Sequence, residues 1–139
     1  MVYFLDTNIF TRISVKDSSE MALECEQLIE NIRRGKIAAI TSNFVIIEFG
    51  WLLKSYYKKD RAETAEFMAG VYKLNGLKVI DELDLPKAIN LFKNNNVDLT
   101  DALIASIPQI ASKTWTVVSY DEDFKKLPVL WKKPGGVKV

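Results

Sequence analysis

The sequence predicts an α/β domain with a mostly parallel central sheet that is covered by helices on both faces. Short apolar runs typical of buried strands alternate along the chain with longer segments of helical periodicity. The chain has 139 residues, of which 48% are hydrophobic, and this is enough for one domain with a sizeable core. No repeat, linker or low-complexity tract interrupts it, so we expect residues 1–139 to form a single domain.

The elements can be assigned in order from the spacing of the apolar residues. Strands are predicted at about 2–5, 37–40, 77–80 and 114–119, with a last short strand after Pro128. Helices are predicted at about 18–34, 43–57, 60–74, 86–94 and 99–112. Pro86 occupies the permitted first turn of its helix, whereas Pro108 should kink or end the last helix early. The segment YDEDF at 120–124 is expected to be a turn or a short helix.

Capping residues support two of the helix starts and one helix end. Asp17 and Glu20 resemble a capping box before the first predicted helix, and Gly35 is a natural stop for it. Asp60 and Glu63 form a second capping pair three residues apart. These signals agree with the boundaries that the apolar spacing predicts.

The composition restricts the chemistry that the chain can carry out. Histidine is absent, which removes the commonest general base, the Ser-His and Cys-His nucleophile systems and most zinc sites. Cys25 is the only cysteine, so an internal disulfide is excluded, and its helical context predicts a buried side chain. Any enzymatic activity must therefore rely on carboxylates, amides and hydroxyls.

The charge and hydropathy of the chain limit the kinds of partner that we expect it to bind. The net charge of +1 gives no overall attraction to nucleic acid, although basic residues cluster at 33–36, 54–61, 125–126 and 132–138. Each cluster, taken alone, is explained by a solvated helix end or tail. The apolar run at the N-terminus breaks at Asp6, and no other uncharged stretch approaches the about 18 residues that span a bilayer. We therefore expect a cytoplasmic protein without a membrane partner.

Acidic residues follow two of the predicted strands. Asp6 comes directly after the first strand, and Thr7 and Asn8 behind it suit a turn. An isolated aspartate at this position could simply end the strand and cap the next segment. Asp121 and Asp123, however, follow the strand at 114–119. Because the carboxyl ends of parallel strands meet at one edge of the sheet, these three acids can converge in a crevice.

Two further aspartates flank the start of a late helix. Asp98 and Asp101 are three residues apart, so they share a face if both are helical. Asp98 is suited to be the N-cap of this helix, which leaves Asp101 to point into the crevice. We therefore favour Asp101 over Asp98 as a site residue.

Glu48 lies in the apolar segment FVIIEFGWLL, so a helix there carries it next to buried surface. An unpaired carboxylate in such a place costs several kcal/mol and requires a partner. Lys54 is the nearest cation in sequence and lies mostly across the helix. The alternatives are a salt bridge to a distant Lys or Arg and a bound cation that Glu48 shares with other carboxylates.

Four motifs in the same order and at similar spacing, YFLDTNIF, VIIEFG, DALIAS and VVSYDEDF, give the chain a resemblance to the PIN-domain ribonucleases, in particular to VapC-type toxins of toxin-antitoxin pairs. The resemblance implies a three-layer α/β/α sandwich and an endoribonuclease that depends on Mg²⁺ or Mn²⁺. Its carboxylate set maps onto Asp6, Glu48 and Asp101, and Asp121 matches the fourth acid. Asp123 lies close enough in sequence to compete with Asp121 for that role.

The resemblance also assigns supporting positions and has three departures. Thr7 and Asn8 match the opening motif, where the amide resembles a group that positions the first aspartate or a phosphate oxygen. Ser119 stands where the family usually has Thr, which keeps the hydroxyl. Pro108 interrupts a helix that usually continues, and the basic C-terminal tail matches no motif.

The chemistry implied by these residues is metal-assisted hydrolysis of a phosphodiester. Clustered carboxylates hold a hard divalent ion, which lowers the pKa of a bound water and neutralises charge on the phosphorane. Asp6 and Asp101 are the expected direct ligands, and Asp121 and Asp123 complete the shell through water or bind a second ion. Glu48 would orient or deprotonate the attacking water, and Lys and Arg at the rim would hold the RNA backbone.

Other functions remain open at this point. A phospho-acceptor signalling domain also gathers acids at strand ends, but the chain lacks an acidic pair after its first strand. An inactive PIN fold that serves as a scaffold would be expected to have lost acids. A PIN nuclease that matures RNA or cuts DNA without an antitoxin is a further alternative that the sequence does not separate from a toxin.

Large apolar residues on the second and third predicted helices suggest an interface. They are more than a domain of this size readily covers, although some belong to the core: Trp51, Tyr56, Tyr57, Phe67, Met68, Val71 and Tyr72. We expect a homodimer, as the resemblance also implies, with an antitoxin helix in a groove along the same helices.

Overall fold

The computed structural model describes residues 1–15 and 19–139 and contains one sheet. Within these residues the sheet has five strands, all parallel, in the order β3-β2-β1-β4-β5. The strands are β1 (Val2–Leu5), β2 (Ala38–Ser42), β3 (Leu77–Ile80), β4 (Trp115–Val118) and β5 (Leu130–Lys132). β1 is the central strand, since Phe4 pairs with Ile40 on one side and with Val117 on the other.

Seven α-helices in the described part of the chain connect these strands. They are α1 (Thr7–Ser14), α2 (Glu20–Arg33), α3 (Asn43–Ser55), α4 (Arg61–Tyr72), α5 (Leu85–Asn94), α6 (Leu99–Ser106) and α7 (Pro108–Ala111). The chain moves from β1 through β2 to β3 in one direction and then crosses back to β4. Because parallel crossovers are right-handed, α1 to α4 cover one face and α5 to α7 the other. The fold is the predicted three-layer α/β/α sandwich.

The hydrophobic core lies on both faces of the sheet, between the strands and the helices that cover them. β1 is almost wholly buried, and Phe10 of α1 packs against Phe49 of α3 with ring centroids 6.0 Å apart. Cys25 of α2 is fully buried, as predicted, and this burial raises the pKa of its thiol to about 11. None of the helices in the described ranges is long and apolar enough to cross a membrane.

Most predicted elements are confirmed within a few residues, and the helix ends have the expected causes. Gly35, at φ +73°, follows the end of α2, and the Asp60 carboxylate accepts the Glu63 backbone N–H at 2.8 Å. Pro108 ends α6 and starts the separate helix α7, as its missing N–H requires. Of the capping pair predicted before α2, Asp17 lies outside the described residues, and Ser19 is the N-cap.

One local prediction is wrong. Thr7 and Asn8 were expected to form a turn, but α1 begins at Thr7 with Asp6 as its N-cap. The carboxylate of Asp6 accepts the backbone N–H of Thr7, so the aspartate that ends the strand also starts a helix. The change of direction that suggested a turn is therefore achieved by an immediate strand-to-helix junction.

The topology places a crevice at the carboxyl ends of β1 and β4. The connections leaving these neighbouring strands lead to opposite sides of the sheet, since β2 lies on one side of β1 and β5 on the far side of β4. This arrangement is a topological switch point, where parallel α/β folds bind their ligands.

Candidate active site

Asp6 is held firmly at the carboxyl end of β1. It is only 4% exposed, and its Oδ1 accepts the backbone N–H of Thr7 at 2.7 Å. Its Oδ2 accepts the hydroxyl of Ser119 at 2.6 Å and the side-chain amide of Asn8 at 3.4 Å. Three donors thus fix the orientation of this carboxylate.

Ser119 and Asn8 connect Asp6 to the segment after β4. The Ser119 hydroxyl oxygen accepts the Asn8 amide at 2.9 Å and the backbone N–H of Asp121 at 3.0 Å. The Asn8 Oδ1 in turn accepts the backbone N–H of Tyr120 at 3.2 Å. The two side chains predicted to position the site therefore tie the end of β1 to the end of β4.

Burial changes the protonation of Asp6. Desolvation raises its pKa from the usual 3.8 to about 6, although the hydrogen bonds from Ser119 and Thr7 oppose the rise. The charges of Glu48 and Asp121 add to it. A carboxyl group that is partly protonated near neutral pH is ready to exchange its proton for a cation.

Asp101 projects from the first turn of α6 and is 3% exposed. Its Oδ2 is buried and has no hydrogen-bond partner among the described residues. Burial raises the pKa of this carboxyl group, and a hydrogen bond to Asp121 and the charges of Asp6, Asp121 and Asp98 raise it further. Asp101 thus carries the least satisfied polar atom of the acid cluster.

Asp98, Asp101 and Asp121 form a compact group of carboxylates. Each offers a ligand oxygen, and these oxygens lie within 4.8 Å of one another. Asp98 is the N-cap residue of α6 by position, as predicted, but its side chain makes no capping hydrogen bond. The sequence interpretation therefore missed Asp98 as a member of the cluster, although its spacing from Asp101 was a usable signal.

Glu48 reaches the same crevice from α3. Its Oε2 accepts the hydroxyl of Thr100, and no Lys or Arg of the described residues forms an ion pair with it. The salt bridge considered for Glu48 is therefore not formed in the described part of the chain. Thr100 had no sequence signal as its partner, because the two residues are 52 positions apart.

Asp123 belongs neither to the compact carboxylate group nor to the lining of the crevice. Its carboxylate forms an ion pair with Lys126 at 2.9 Å, and its backbone N–H donates to the Asp121 Oδ1 at 2.9 Å. Asp121 itself is half-buried and lines the crevice, so of the two candidates only Asp121 is brought together with Asp6 and Asp101.

The crevice is a cavity of about 420 Å³ with acidic and aromatic walls. Its lining comprises Asp6, Thr7, Asn8, Thr11, Glu48, Leu52, Tyr56, Tyr57, Asp98, Thr100, Asp101 and Asp121. The hydroxyl of Thr7 is buried there without a hydrogen-bond partner among the described residues. Asp6, Glu48, Asp98, Asp101 and Asp121 give the cavity its negative charge.

A parallel α/β sheet that brings carboxylates together at its switch point defines a broad class of domains that act on phosphate-containing ligands or metal ions. The sequence matches the PIN domain family over residues 3–130, and the chain belongs to this family. No curated protein sequence shows a significant match to it.

Solved structures share the fold over most of the chain. VapBC2 from Rickettsia felis, bound to a DNA fragment from its promoter, is 22% identical, with a TM-score of 0.63 over 96% of this chain and 98% of that one. VapC20 from Mycobacterium tuberculosis, a toxin that cleaves the sarcin-ricin loop, is 15% identical, with a TM-score of 0.64 over 89% and 93%. A toxin-antitoxin complex from Klebsiella pneumoniae is 19% identical, with a TM-score of 0.61 over 95% and 97%.

Proposed function

We propose that residues 1–139 form a single nuclease domain that hydrolyses RNA phosphodiester bonds with Mg²⁺ or Mn²⁺ and acts in the cytoplasm as the toxin of a toxin-antitoxin pair. The observation that carries the proposal is the buried Asp101 Oδ2, which has no hydrogen-bond partner among the described residues and belongs to a carboxylate that faces Asp98 and Asp121. A buried carboxylate oxygen without a donor is strongly unfavourable unless the group takes up a proton or a cation binds it.

The donor set fits a hard divalent cation. Every charged group of the cluster is a carboxylate, and Mg²⁺ and Mn²⁺ prefer such oxygen ligands. No Lys or Arg among the described residues forms an ion pair with Asp6, Asp98 or Asp101. Asp6 and Asp101 are proposed as direct ligands, and the position of Asp121 at the crevice supports it over Asp123 as the fourth acid.

Glu48 is proposed to handle the proton of the attacking water. Its Oε2 is engaged by Thr100, whereas Oε1 accepts no hydrogen bond among the described residues. When bound, a divalent ion lowers the pKa of a coordinated water and stabilises the charge that develops on the phosphate. Glu48 then needs only to orient that water or accept its proton, and no histidine is required.

The rim of the cavity offers contacts for single-stranded RNA. Tyr56 is 74% exposed and stands edge-on to Tyr57, with ring centroids 4.9 Å apart. Lys54 and Lys58 are exposed close to these rings in sequence, and neither forms an ion pair among the described residues. By contrast, Arg33 and Arg34 pair with Glu30, and Lys125 pairs with Glu122. The cluster at 54–58 is therefore the best placed to bind phosphates, beside a ring on which a base can stack.

A cleavage assay tests the function. Wild type should cut single-stranded or structured RNA with Mn²⁺ or Mg²⁺ and lose this activity in EDTA. Asp101→Asn should be inactive with either metal ion and in EDTA. Asp84→Asn is the matched control, because Asp84 caps α5 away from the crevice. Faster cutting of duplex DNA than of any RNA would favour the DNA-cleaving alternative. Activity that persists in EDTA would contradict the proposed dependence on a divalent metal ion.

We also propose a homodimer and a cognate antitoxin. Trp51 is 76% exposed and lies on α3 near the exposed Ile47, and Tyr72 is exposed on α4. Val71 is buried and Phe67 and Met68 are packed against the core, so these three serve the fold. An apolar cavity of about 190 Å³ between α1 and α4, lined by Phe10, Ile13, Phe67, Gly70, Val71 and Leu74 among others, suits an antitoxin helix.

Two measurements test these partners. Light scattering at tens of micromolar protein should give the mass of a dimer, and a monomer would defeat that part of the proposal. Coexpression with a short reading frame next to the gene should yield a complex in which RNA cleavage is suppressed. Full activity in the presence of every neighbouring product would instead favour a nuclease of RNA maturation.

A further inference from the structure

The aspartates at helix starts differ in how they use their side chains. Asp60 and Asp84 accept the backbone N–H three residues on, at 2.8 and 3.2 Å. Asp6 and Asp121 accept a backbone N–H one and two residues on. Asp98 occupies the same kind of position at the start of α6, yet its carboxylate caps nothing. A strong capping residue that does not cap indicates that its side chain is committed elsewhere.

The Asp98 carboxylate is turned toward the acid cluster. It makes no hydrogen bond or ion pair with any described residue, and one of its oxygens lies within 4.8 Å of ligand oxygens of Asp101 and Asp121. Asp98 also lines the cavity. In the absence of a cation this orientation gives up a cap and adds repulsion, so it is unfavourable on two counts.

A second, independent observation identifies what the orientation serves. Asp101 is 3% exposed and lines the same cavity, and its buried Oδ2 has no hydrogen-bond partner among the described residues. The side chain next to it on α6, Thr100, is already used by Glu48. The first turn of α6 therefore offers two carboxylates, and neither obtains a positively charged partner from the described part of the chain.

On the basis of the proposed nuclease function, we propose that Asp98 is a ligand of the divalent cation, in addition to Asp6, Asp101 and Asp121. It supplies one carboxylate oxygen from the exposed side of the cluster, and the added negative charge tightens the binding of Mg²⁺ or Mn²⁺. Asp98 is a residue whose position in the sequence predicts a helix cap and whose side chain binds metal instead.

The competing explanation is that Asp98 stabilises α6 through the helix dipole without a hydrogen bond. Two substitutions separate the explanations. Asp98→Ser provides a strong capping hydroxyl but no carboxylate, and Asp98→Asn keeps the shape without the charge. Asp84→Ser is the matched control on α5, because Asp84 caps its helix and lies outside the cavity lining.

The measurement is Mn²⁺ binding to the full chain by calorimetry, together with thermal melts of the metal-free protein. For Asp98→Ser and Asp98→Asn we expect Mn²⁺ affinity to fall by about ten- to a hundredfold, the range typical for loss of a group that supports a metal site. The metal-free Asp98→Ser protein should melt at a higher temperature than wild type, because it gains a cap and loses repulsion. Asp84→Ser should bind Mn²⁺ as wild type does.

The outcomes separate this inference from the nuclease proposal. If both Asp98 variants bind Mn²⁺ as tightly as wild type while Asp101→Asn does not, Asp98 acts only through the helix dipole. The inference about Asp98 then fails, while the proposed nuclease function stands. If wild type shows no Mn²⁺ binding, or Asp101→Asn binds normally, the metal-dependent function itself fails. Should Asp98→Ser not fold, the Mn²⁺ affinity of Asp98→Asn answers the same question.

Discussion

The two halves of the carboxylate cluster are built in opposite ways. At the junction of β1 and α1, Asp6 receives hydrogen bonds from Thr7, Ser119 and Asn8. At the start of α6, Asp98 caps nothing and Asp101 has a buried oxygen without a partner among the described residues. The Asp6 carboxylate therefore obtains its hydrogen bonds from the protein alone, whereas the carboxylates at the start of α6 do not.

This difference separates two tasks within one site. The donors around Asp6 orient a carboxylate before any ligand arrives, which is the preorganisation that catalysis needs. The acids of α6 are left with unfavourable electrostatics that a bound cation relieves, so they make the folded state respond to metal. We expect Asp101→Asn to stabilise the metal-free protein more than Asp6→Asn does, while both substitutions remove activity.

The largest expected effect is on the α6 side. Asp101→Asn should slow RNA cleavage at least about a thousandfold, equivalent to about 4 kcal/mol of transition-state stabilisation. The metal-free variant should be more stable than wild type by about 1 to 2 kcal/mol, because a raised pKa makes folding take up a proton that asparagine does not need. Urea unfolding in EDTA and initial cleavage rates measure the two effects. Loss of the fold would show that Asp101 is structural.

Asp6→Asn provides the contrasting variant. Every hydrogen-bond partner of its carboxylate is a donor, and the Ser119 oxygen already accepts from Asn8 and Asp121. The amide N–H₂ that this substitution introduces would therefore face a donor, at a cost of about 1 to 3 kcal/mol that offsets the gain from removing the charge. We expect activity to be lost and the metal-free protein to unfold at lower urea than Asp101→Asn. Equal stabilisation by both substitutions would break the comparison.

The pH dependence of stability tests the same idea with a smaller effect. The pKa of Asp6 in the folded protein is raised from 3.8 to about 6, so the folded state holds a proton that the unfolded chain releases. Its contribution to stability is full below pH 3.8 and is lost as the pH rises to about 6, by about 3 kcal/mol relative to Asp6→Asn. Urea melts of both proteins in EDTA across this range measure the difference.

Saturating Mn²⁺ is the control for this titration. A cation displaces the proton from the cluster, so the difference between wild type and Asp6→Asn should no longer decrease with pH in the same way. A wild type whose stability in EDTA changes with pH in parallel with Asp6→Asn would show that Asp6 has an ordinary pKa.

Most of the fold could be predicted from the sequence because its signals are local. The apolar spacing, Gly35 and Pro108 each act within a few residues of their own position, and the structure agrees with them. Asp6 and Asp121 could be placed together because parallel strands bring their carboxyl ends to one edge, and Asp101 could be added from its place in the first turn after the N-cap position of α6. The sequence did not show which oxygen each donor satisfies.

The points on which the sequence was undecided or misleading concern side-chain contacts that apolar spacing does not define. Asp98 has the sequence signature of a cap, and only the geometry shows that its carboxylate faces Asp121, 23 positions away. The sequence left both Asp121 and Asp123 as candidates for the fourth acid. In the structure Asp123 is the second residue of a short 3₁₀ helix (Glu122–Lys126), pairs with Lys126 and is not part of the crevice lining. Turn-forming residues at 7 and 8 are equally compatible with a helix start, so the choice depended on the Asp6 side chain.

The smallest expected effect on activity is at the rim of the cavity. There a substitution should weaken RNA binding without changing either half of the carboxylate cluster. Tyr56 lines the cavity and is 74% exposed, so a base can stack on it. Tyr56→Ala should raise the KM for single-stranded RNA by about tenfold, since one base–aromatic stack contributes about 1 to 3 kcal/mol, and should leave kcat and the Mn²⁺-induced shift in melting temperature unchanged. Tyr56→Phe should keep the wild-type KM because the ring is kept. Phe92→Ala, which removes an exposed ring of α5 outside the cavity lining, is the control. If Mn²⁺ raised the melting temperature of Tyr56→Ala less than that of wild type, Tyr56 would instead help to position the carboxylate cluster. If the KM of Tyr56→Ala equalled that of wild type, RNA would enter by another side of the cavity.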